Sequence, residues 1–211
     1  MKTSKILLAA AALCAAMGAN AQVLGQAVGS SSGTFLQLSN AGLSGGTVAS
    51  LTGGTVYGED RDFADIPAGG FIFGRNFLAA GPSSGAPATL SFLNGGVSFV
   101  SFLWGSPDTY NVLTVNSTGG TQTFVAGTAG VGQTSLNFAV TNGDQSRSQY
   151  VQFTGLAGSK ITQLSFNNVP STDAFESANY SITPVPEPET YALLLAGLGA
   201  VAFVARRRRN K

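Results

Sequence analysis

Between Gln22 and Ile182 the apolar residues fall at every second position in short runs, and turn-forming residues break each run before a helix could form. Leu136, Phe138 and Val140 alternate with Asn137, Ala139 and Thr141, and Asn142-Gly143 then marks a turn. Other runs of this kind are Thr34–Leu38, Thr47–Leu51, Thr89–Leu93, Tyr110–Val115, Thr121–Val125, Gln149–Thr154, Ile161–Phe166 and Ala178–Ile182. The run from Val97 to Trp104 is apolar on both faces, as in a central strand covered on both sides. Asn94-Gly95-Gly96 lies between it and Thr89–Leu93 and predicts a hairpin there. About ten short strands in one domain predict an all-β fold, a single β-sandwich of jelly-roll type.

Composition favours the same class. The 28 glycines supply the positive φ that tight turns need, and only 10% of the residues are charged. Disorder would need little apolar surface, yet the chain has 14 phenylalanines and one tryptophan to bury. The formal charge of +1 hides a polarity along the chain. Lys2 and Lys5 open it, and Arg206 to Arg209 with Lys211 close it. The body holds Arg61, Arg75, Arg147 and Lys160 against Glu59, Asp60, Asp62, Asp65, Asp108, Asp144, Asp173 and Glu176. A mildly acidic body has no basic stripe for phosphates, so no nucleic-acid partner is expected.

Both ends carry segments of another kind. Residues 1–21 have a positive start, an apolar Ala-rich stretch from Ile6 to Met17, and Ala19-Asn20-Ala21 as a small-x-small site for signal peptidase. Twelve residues of helix span about 18 Å, too little for a retained anchor in a core of about 30 Å. The single cysteine, Cys14, lies within this segment and follows Leu13, where a lipoprotein box would want a small residue. The mature body is therefore expected to hold no thiol and no disulfide. At the other end, residues 184–211 begin with a Pro-rich stretch, in which Pro184, Pro186 and Pro188 favour extended backbone. An uncharged segment follows over 191–205, predicted as a hydrophobic helix of about 22 Å. Arg206, Arg207, Arg208 and Arg209 then supply a stop-transfer signal, so the tail is expected to sit in the inner membrane transiently.

Pro186-Glu187-Pro188, the apolar stretch after it and the closing Arg run together resemble the PEP-CTERM sorting domain. That resemblance implies recognition by exosortase, a membrane-embedded transpeptidase-like enzyme, with Pro186, Glu187 and Pro188 as the processing motif. It also implies export from a Gram-negative-type bacterium, with delivery to the cell surface or to the extracellular matrix of a biofilm. Within the body, Trp104-Gly105-Ser106-Pro107-Asp108-Thr109-Tyr110-Asn111 with Ala174-Phe175-Glu176 resembles a recurring β-sandwich of exosortase-dependent surface proteins. In that family the late motif continues to a second acidic residue. Here Ser177-Ala178-Asn179 replaces it.

The body, residues 22–183, offers little for catalysis. It has no histidine and no cysteine, which removes the usual general bases, zinc ligands and thiol nucleophiles. No enzyme activity and no cofactor are expected. Two readings of its role stand. In the first it is a structural or adhesive component of the surface matrix. In the second it is a lectin-like module for exopolysaccharide, with Trp104 stacking on a sugar while Asp108, Tyr110 and Asn111 hold its hydroxyls. Against the second, Trp104 reads first as core and Ser106-Pro107-Asp108 as turn chemistry. Asp60, Asp62 and Asp65 offer clustered oxygens to calcium, but their spacing is not that of an EF-hand loop. Cleavage after Ala21 predicts that N-terminal sequencing of the exported protein reads Gln22-Val23-Leu24; a retained Met1 would overturn it.

Overall fold

The computed structural model describes residues 23–182, apart from 31–32, 69, 143, 145–146 and 169–172. The segments 1–21 and 184–211 lie outside the described residues, as do Ala19, Ala21, Pro186, Glu187, Pro188 and Arg206 to Arg209. Fourteen strands make up nearly all the regular structure described. They are β1 (Val23–Val28), β2 (Leu38–Ser39), β3 (Gly42–Leu43), β4 (Ala49–Thr52), β5 (Thr55–Tyr57), β6 (Phe77–Ala80) and β7 (Ala88–Phe92) in the first half. The second half supplies β8 (Phe99–Trp104), β9 (Asn111–Ser117), β10 (Gly120–Val125), β11 (Gln133–Ser135), β12 (Gln149–Gly155), β13 (Ile161–Asn168) and β14 (Phe175–Ser181). A six-stranded sheet runs β1-β12-β8-β14-β6-β5, and an eight-stranded sheet runs β11-β10-β9-β13-β7-β4-β3-β2. Pairing is antiparallel except between β10 and β11. A jelly roll is built of eight strands in all, so the strand order supports the coarser description: an all-β body of two sheets.

Phenylalanines fill the space between the sheets. Phe102 of the six-stranded sheet meets Phe166 of the eight-stranded one edge to face, with ring centroids 5.4 Å apart. Phe153 meets Phe124 across the same gap at 5.0 Å, and Phe175 meets Phe166 at 5.1 Å. Tilted and edge-on contacts suit the ring quadrupole better than face-to-face stacks. In the eight-stranded sheet, β7 and β9 alternate buried and half-buried residues, as expected of a sheet with one wet face. In the six-stranded sheet, β6, β8 and β14 are buried at every position. A second apolar cluster explains this. Ala64, Ile72, Phe63 and Ile66, from the loop between β5 and β6, cover Leu103, Phe77, Ala79 and Ala178 on the outer face. The run with apolar groups on both faces is thus a central strand, β8, paired with β12 and β14.

Three expectations are corrected. Asn94-Gly95-Gly96 does not close a hairpin, because β7 and β8 belong to different sheets. The turn, closed by Gly96 N–H donating to Leu93 C=O (3.1 Å), carries the chain from one sheet to the other. Positive φ at Asn94, Gly95 and Gly96 permits that change of direction, where a two-residue hairpin would have kept the strands side by side. The run from Leu136 to Val140 is not a strand, since Asn137 adopts φ 58° and breaks the extended backbone. Its apolar residues still pack inward: Leu136 is buried and Phe138 lies edge-on to Trp104 at 5.6 Å. In Thr34–Leu38 only the last residue is in a strand.

Phe102 is wholly buried and touches four rings, those of Trp104, Phe153, Phe166 and Tyr180. Phe102→Ala would open a cavity at the junction of the two sheets. It should cost about 4 kcal/mol of unfolding free energy, read as a lower urea midpoint at unchanged slope; a loss under about 1 kcal/mol would show that the sheets are held elsewhere.

Candidate functional site

The two body motifs singled out in the sequence, Trp104–Asn111 and Ala174–Glu176, meet at one end of the six-stranded sheet. Gly105 N–H donates to Glu176 C=O at 2.9 Å, and Trp104 stacks on Phe175 with centroids 4.3 Å apart. The glycine is required by this approach. A Cβ at position 105 would lie 2.9 Å from Glu176 Cβ and 2.9 Å from Pro67 Cγ, closer than two carbons can come. The covering loop joins them, with Arg61 and Ala64 bonded to each other through both backbone pairs and Ala174 N–H donating to Phe63 C=O at 2.8 Å.

These three segments enclose a cavity of about 200 Å³, lined by acidic side chains from each: Asp62 and Asp65, Asp108, then Asp173 and Glu176. Ser106 and Tyr110 complete the polar wall. Asp108 and Glu176 are buried, each 2% exposed, while Asp62, Asp65 and Asp173 sit at the mouth. The carboxyl of Asp65 is raised above its ordinary pKa, first by partial burial and then by the negative charges of Asp60 and Asp173. The loop after Trp104 is stitched to itself. Ser106 Oγ donates to Asp108 Oδ1 (3.1 Å), and Asn111 Nδ2 donates to Ser106 C=O (3.1 Å) and Asp108 Oδ2 (3.3 Å).

This geometry sorts the expected site residues. Trp104 is 0% exposed, and its ring lies among Phe102, Phe138 and Phe175, so it has no face to lay on a pyranose. Its Nε1–H has no hydrogen-bond acceptor among the described residues. Asn111 is also fully buried and serves the turn. Asp108 and the half-buried Tyr110 do reach the cavity, but its volume is below the range of about 300–1,000 Å³ usual for small-molecule sites. Of the three aspartates considered for calcium, Asp60 accepts the Ile66 backbone N–H at 2.8 Å, holding the loop. Among the described residues no group of three or more carboxylates is placed to hold a metal ion.

Sequence reasoning did not foresee that Asp173 and Glu176 would join Asp62 and Asp65. The signal was present in the pairing of the two motifs, whose shared packing puts their acidic residues around one space. The Glu59–Asp65 stretch reads as a solvated loop, yet Ala64 within it is buried against the sheet. Arg61 pairs with Glu59 at 2.8 Å and lies 5.1 Å from the Tyr57 ring centroid, away from the cavity lining. The arrangement therefore gathers carboxyl groups from three segments around one space.

The fold and this cavity define a two-sheet all-β body, and the comparisons with known proteins address the segment that follows it. The family model described as the PEP-CTERM protein-sorting motif matches residues 184–209, so the chain carries that sorting motif. The motif supports exosortase-dependent sorting to the cell surface, with exosortase as the processing partner. No curated protein matches the chain, and no solved structure matches it. Among the described residues no helix is long and apolar enough to cross a membrane.

The raised pKa of Asp65 has a defined sign. Its neutral form is favoured in the folded state, so its ionisation costs stability as pH rises above the ordinary value of 3.8, and that cost is relieved as pH falls back through the folded pKa. Asp65→Asn should therefore stabilise the body slightly at pH 7, by about 0.5 kcal/mol or less at so exposed a site. The gain over the wild type should close below about pH 4; urea midpoints at pH 7 and 3.5 check this, and equal gains at both would refute it.

Proposed function

We propose that the chain is an exported, non-catalytic display protein, a structural or adhesive component of the surface matrix that exosortase delivers and cuts at Pro186-Glu187-Pro188. The observation that carries the reading is the match of residues 184–209 to the sorting motif. The N-terminal segment 1–21 supplies the export signal that such a route requires. The body supports a role by display. Its aromatic residues are spent on joining two sheets, and its acidic cavity is smaller than small-molecule sites usually are. The lectin-like alternative for exopolysaccharide loses its stacking residue, since Trp104 is enclosed.

Processing is set by the tail. Proline on either side of Glu187 favours extended backbone there, the form that a membrane-embedded active site would accept. The Arg run keeps the segment from passing through. Replacing Pro186-Glu187-Pro188 by three alanines should leave export and folding intact. Signal-cleaved, uncut protein should then accumulate in the inner membrane and the surface fraction should fall. Fractionation with mass spectrometry of the C-terminus reads both. If surface protein still ends at Lys211, or the alanine variant is sorted normally, the tail is only an anchor.

A further inference from the structure

Away from the acidic cavity, the far half of β14 holds a second unusual arrangement. β14 departs from regular pairing between Ala178 and Ser181, and Asn179 there adopts φ 54°. That left-handed conformation is one asparagine tolerates better than most residues. Its buried side chain grips the loop that precedes β6. Asn179 Oδ1 accepts the Phe73 backbone N–H and Asn179 Nδ2 donates to Phe71 C=O, both at 2.8 Å. The same Nδ2 donates to Tyr150 Oη at 2.7 Å. This network, joining residues more than a hundred positions apart, fixes a loop whose most prominent side chain faces water. Phe71 is 69% exposed, the one aromatic among the large exposed apolar residues described. Phe73 lies edge-on to it at 6.3 Å, and Phe35 backs Phe73 at 6.2 Å. Arg75, exposed, stands beside a shallow cavity of about 280 Å³ that Phe71, Ile72 and Ile66 also line.

Isolated exposed apolar residues need no explanation, but a rigid aromatic shelf is costly to leave uncovered. The place of the shelf in the chain indicates its occupant. Leu36 N–H donates to Tyr180 C=O at 2.8 Å, so Phe35 follows the end of β14, and Asn179 holds Phe71 and Phe73 to that same end. Three residues beyond Asn179, about 10 Å of strand, the chain reaches Ile182 and then enters Pro184-Val185-Pro186-Glu187-Pro188-Glu189. Proline-rich segments are bound by aromatic-lined grooves because the proline ring is apolar and its backbone loses little entropy on docking. Glu187 and Glu189 complement Arg75, one of only four cations between Gln22 and Thr183. The short tether makes the local concentration of the segment about millimolar.

We propose that the shelf of Phe35, Phe71 and Phe73, with Arg75 at its rim, docks the chain's own segment 184–189. The body then presents the processing motif against its surface and shields it from soluble proteases. The docking does not rest on the exosortase reading, since it needs no enzyme.

The test uses full-length, signal-cleaved protein in lipid nanodiscs, digested with a Glu-specific endoprotease and followed by mass spectrometry. The Glu189–Thr190 bond reports on the docked segment, since proline after Glu187 blocks cleavage there, and the exposed Glu59 serves as the internal reference. Phe71→Ala should speed cleavage after Glu189 about tenfold, equivalent to about 1.4 kcal/mol, with Glu59 unchanged. Phe71→Tyr, which keeps the ring, should retain the protection. Equal rates in wild type and Phe71→Ala would overturn the proposal, as would acceleration that includes Glu59, which indicates loosening of the loop. Protection that fades on dilution would assign the shelf to a second copy and would also overturn docking in cis. Failure of exosortase processing in cells leaves these rates unaffected, so the two readings fail separately.

Discussion

Phe175 stacks on Trp104 at 4.3 Å and meets Phe166 of the opposite sheet edge-on at 5.1 Å, and from this contact most of the architecture follows. It seats β14 between β8 and β6, makes the last strand an interior one, and joins the two sheets at the end where the acidic cavity forms. Each buried aromatic ring removes about 150–250 Å² from water. Here those rings touch one another across the interface, so the gain is concentrated at a few residues. With no cysteine outside Cys14, the described body has no covalent tie, and packing together with ladder hydrogen bonds carries its stability. Tyr180 shows how completely polar groups on β14 are enclosed. Its hydroxyl lies 2.6 Å from Ser177 Oγ, and burial pushes the phenol's pKa up more than that hydrogen bond lowers it.

Period two was enough to find β7, β9, β12 and β13 within a residue or two, because in each the alternation is enforced by a real inside and outside. It failed where other physics decided. β6, Phe-Leu-Ala-Ala, has no alternation because both its faces are covered. β1, Val-Leu-Gly-Gln-Ala-Val, pairs with β12 over its whole length, but Gly25 and Gln26 interrupt its apolar pattern. Gly25 is there because Phe124 and Phe153 come within 2.9 Å of where a Cβ would stand. The turn at Asn94 announced itself by composition, but composition does not say whether a turn returns to its own sheet or leaves it.

The candidate site was legible in outline. The residues from Trp104 to Asn111 stood out, and the bland reading of them describes the geometry: a core ring followed by a turn bonded through Ser106, Asp108 and Asn111. What could not be read was the third wall. Asp62 and Asp65 are brought to Asp173 and Glu176 by the Phe63–Ala174 backbone bond and by burial of Ala64, Phe63 and Ile66 on the outer face of the sheet. Such contacts depend on long-range packing that leaves no local period. The sorting motif is the opposite case, a linear signal read by an enzyme and complete in sequence before any folding occurs.

Because β14 is an interior strand, it pairs with β8 along one edge and β6 along the other, and nothing else can fill its place. A chain synthesised from its N-terminus delivers β14 last. Until then β8 and β6 have open edges and Trp104, Phe102 and Phe166 lack their partners on Phe175 and Tyr180. Only Ile182 and Thr183 separate that strand from the sorting segment. Completion of the core thus waits on the residues that stand immediately before the sorting segment, so that closure of the fold and emergence of the tail coincide as the chain is made.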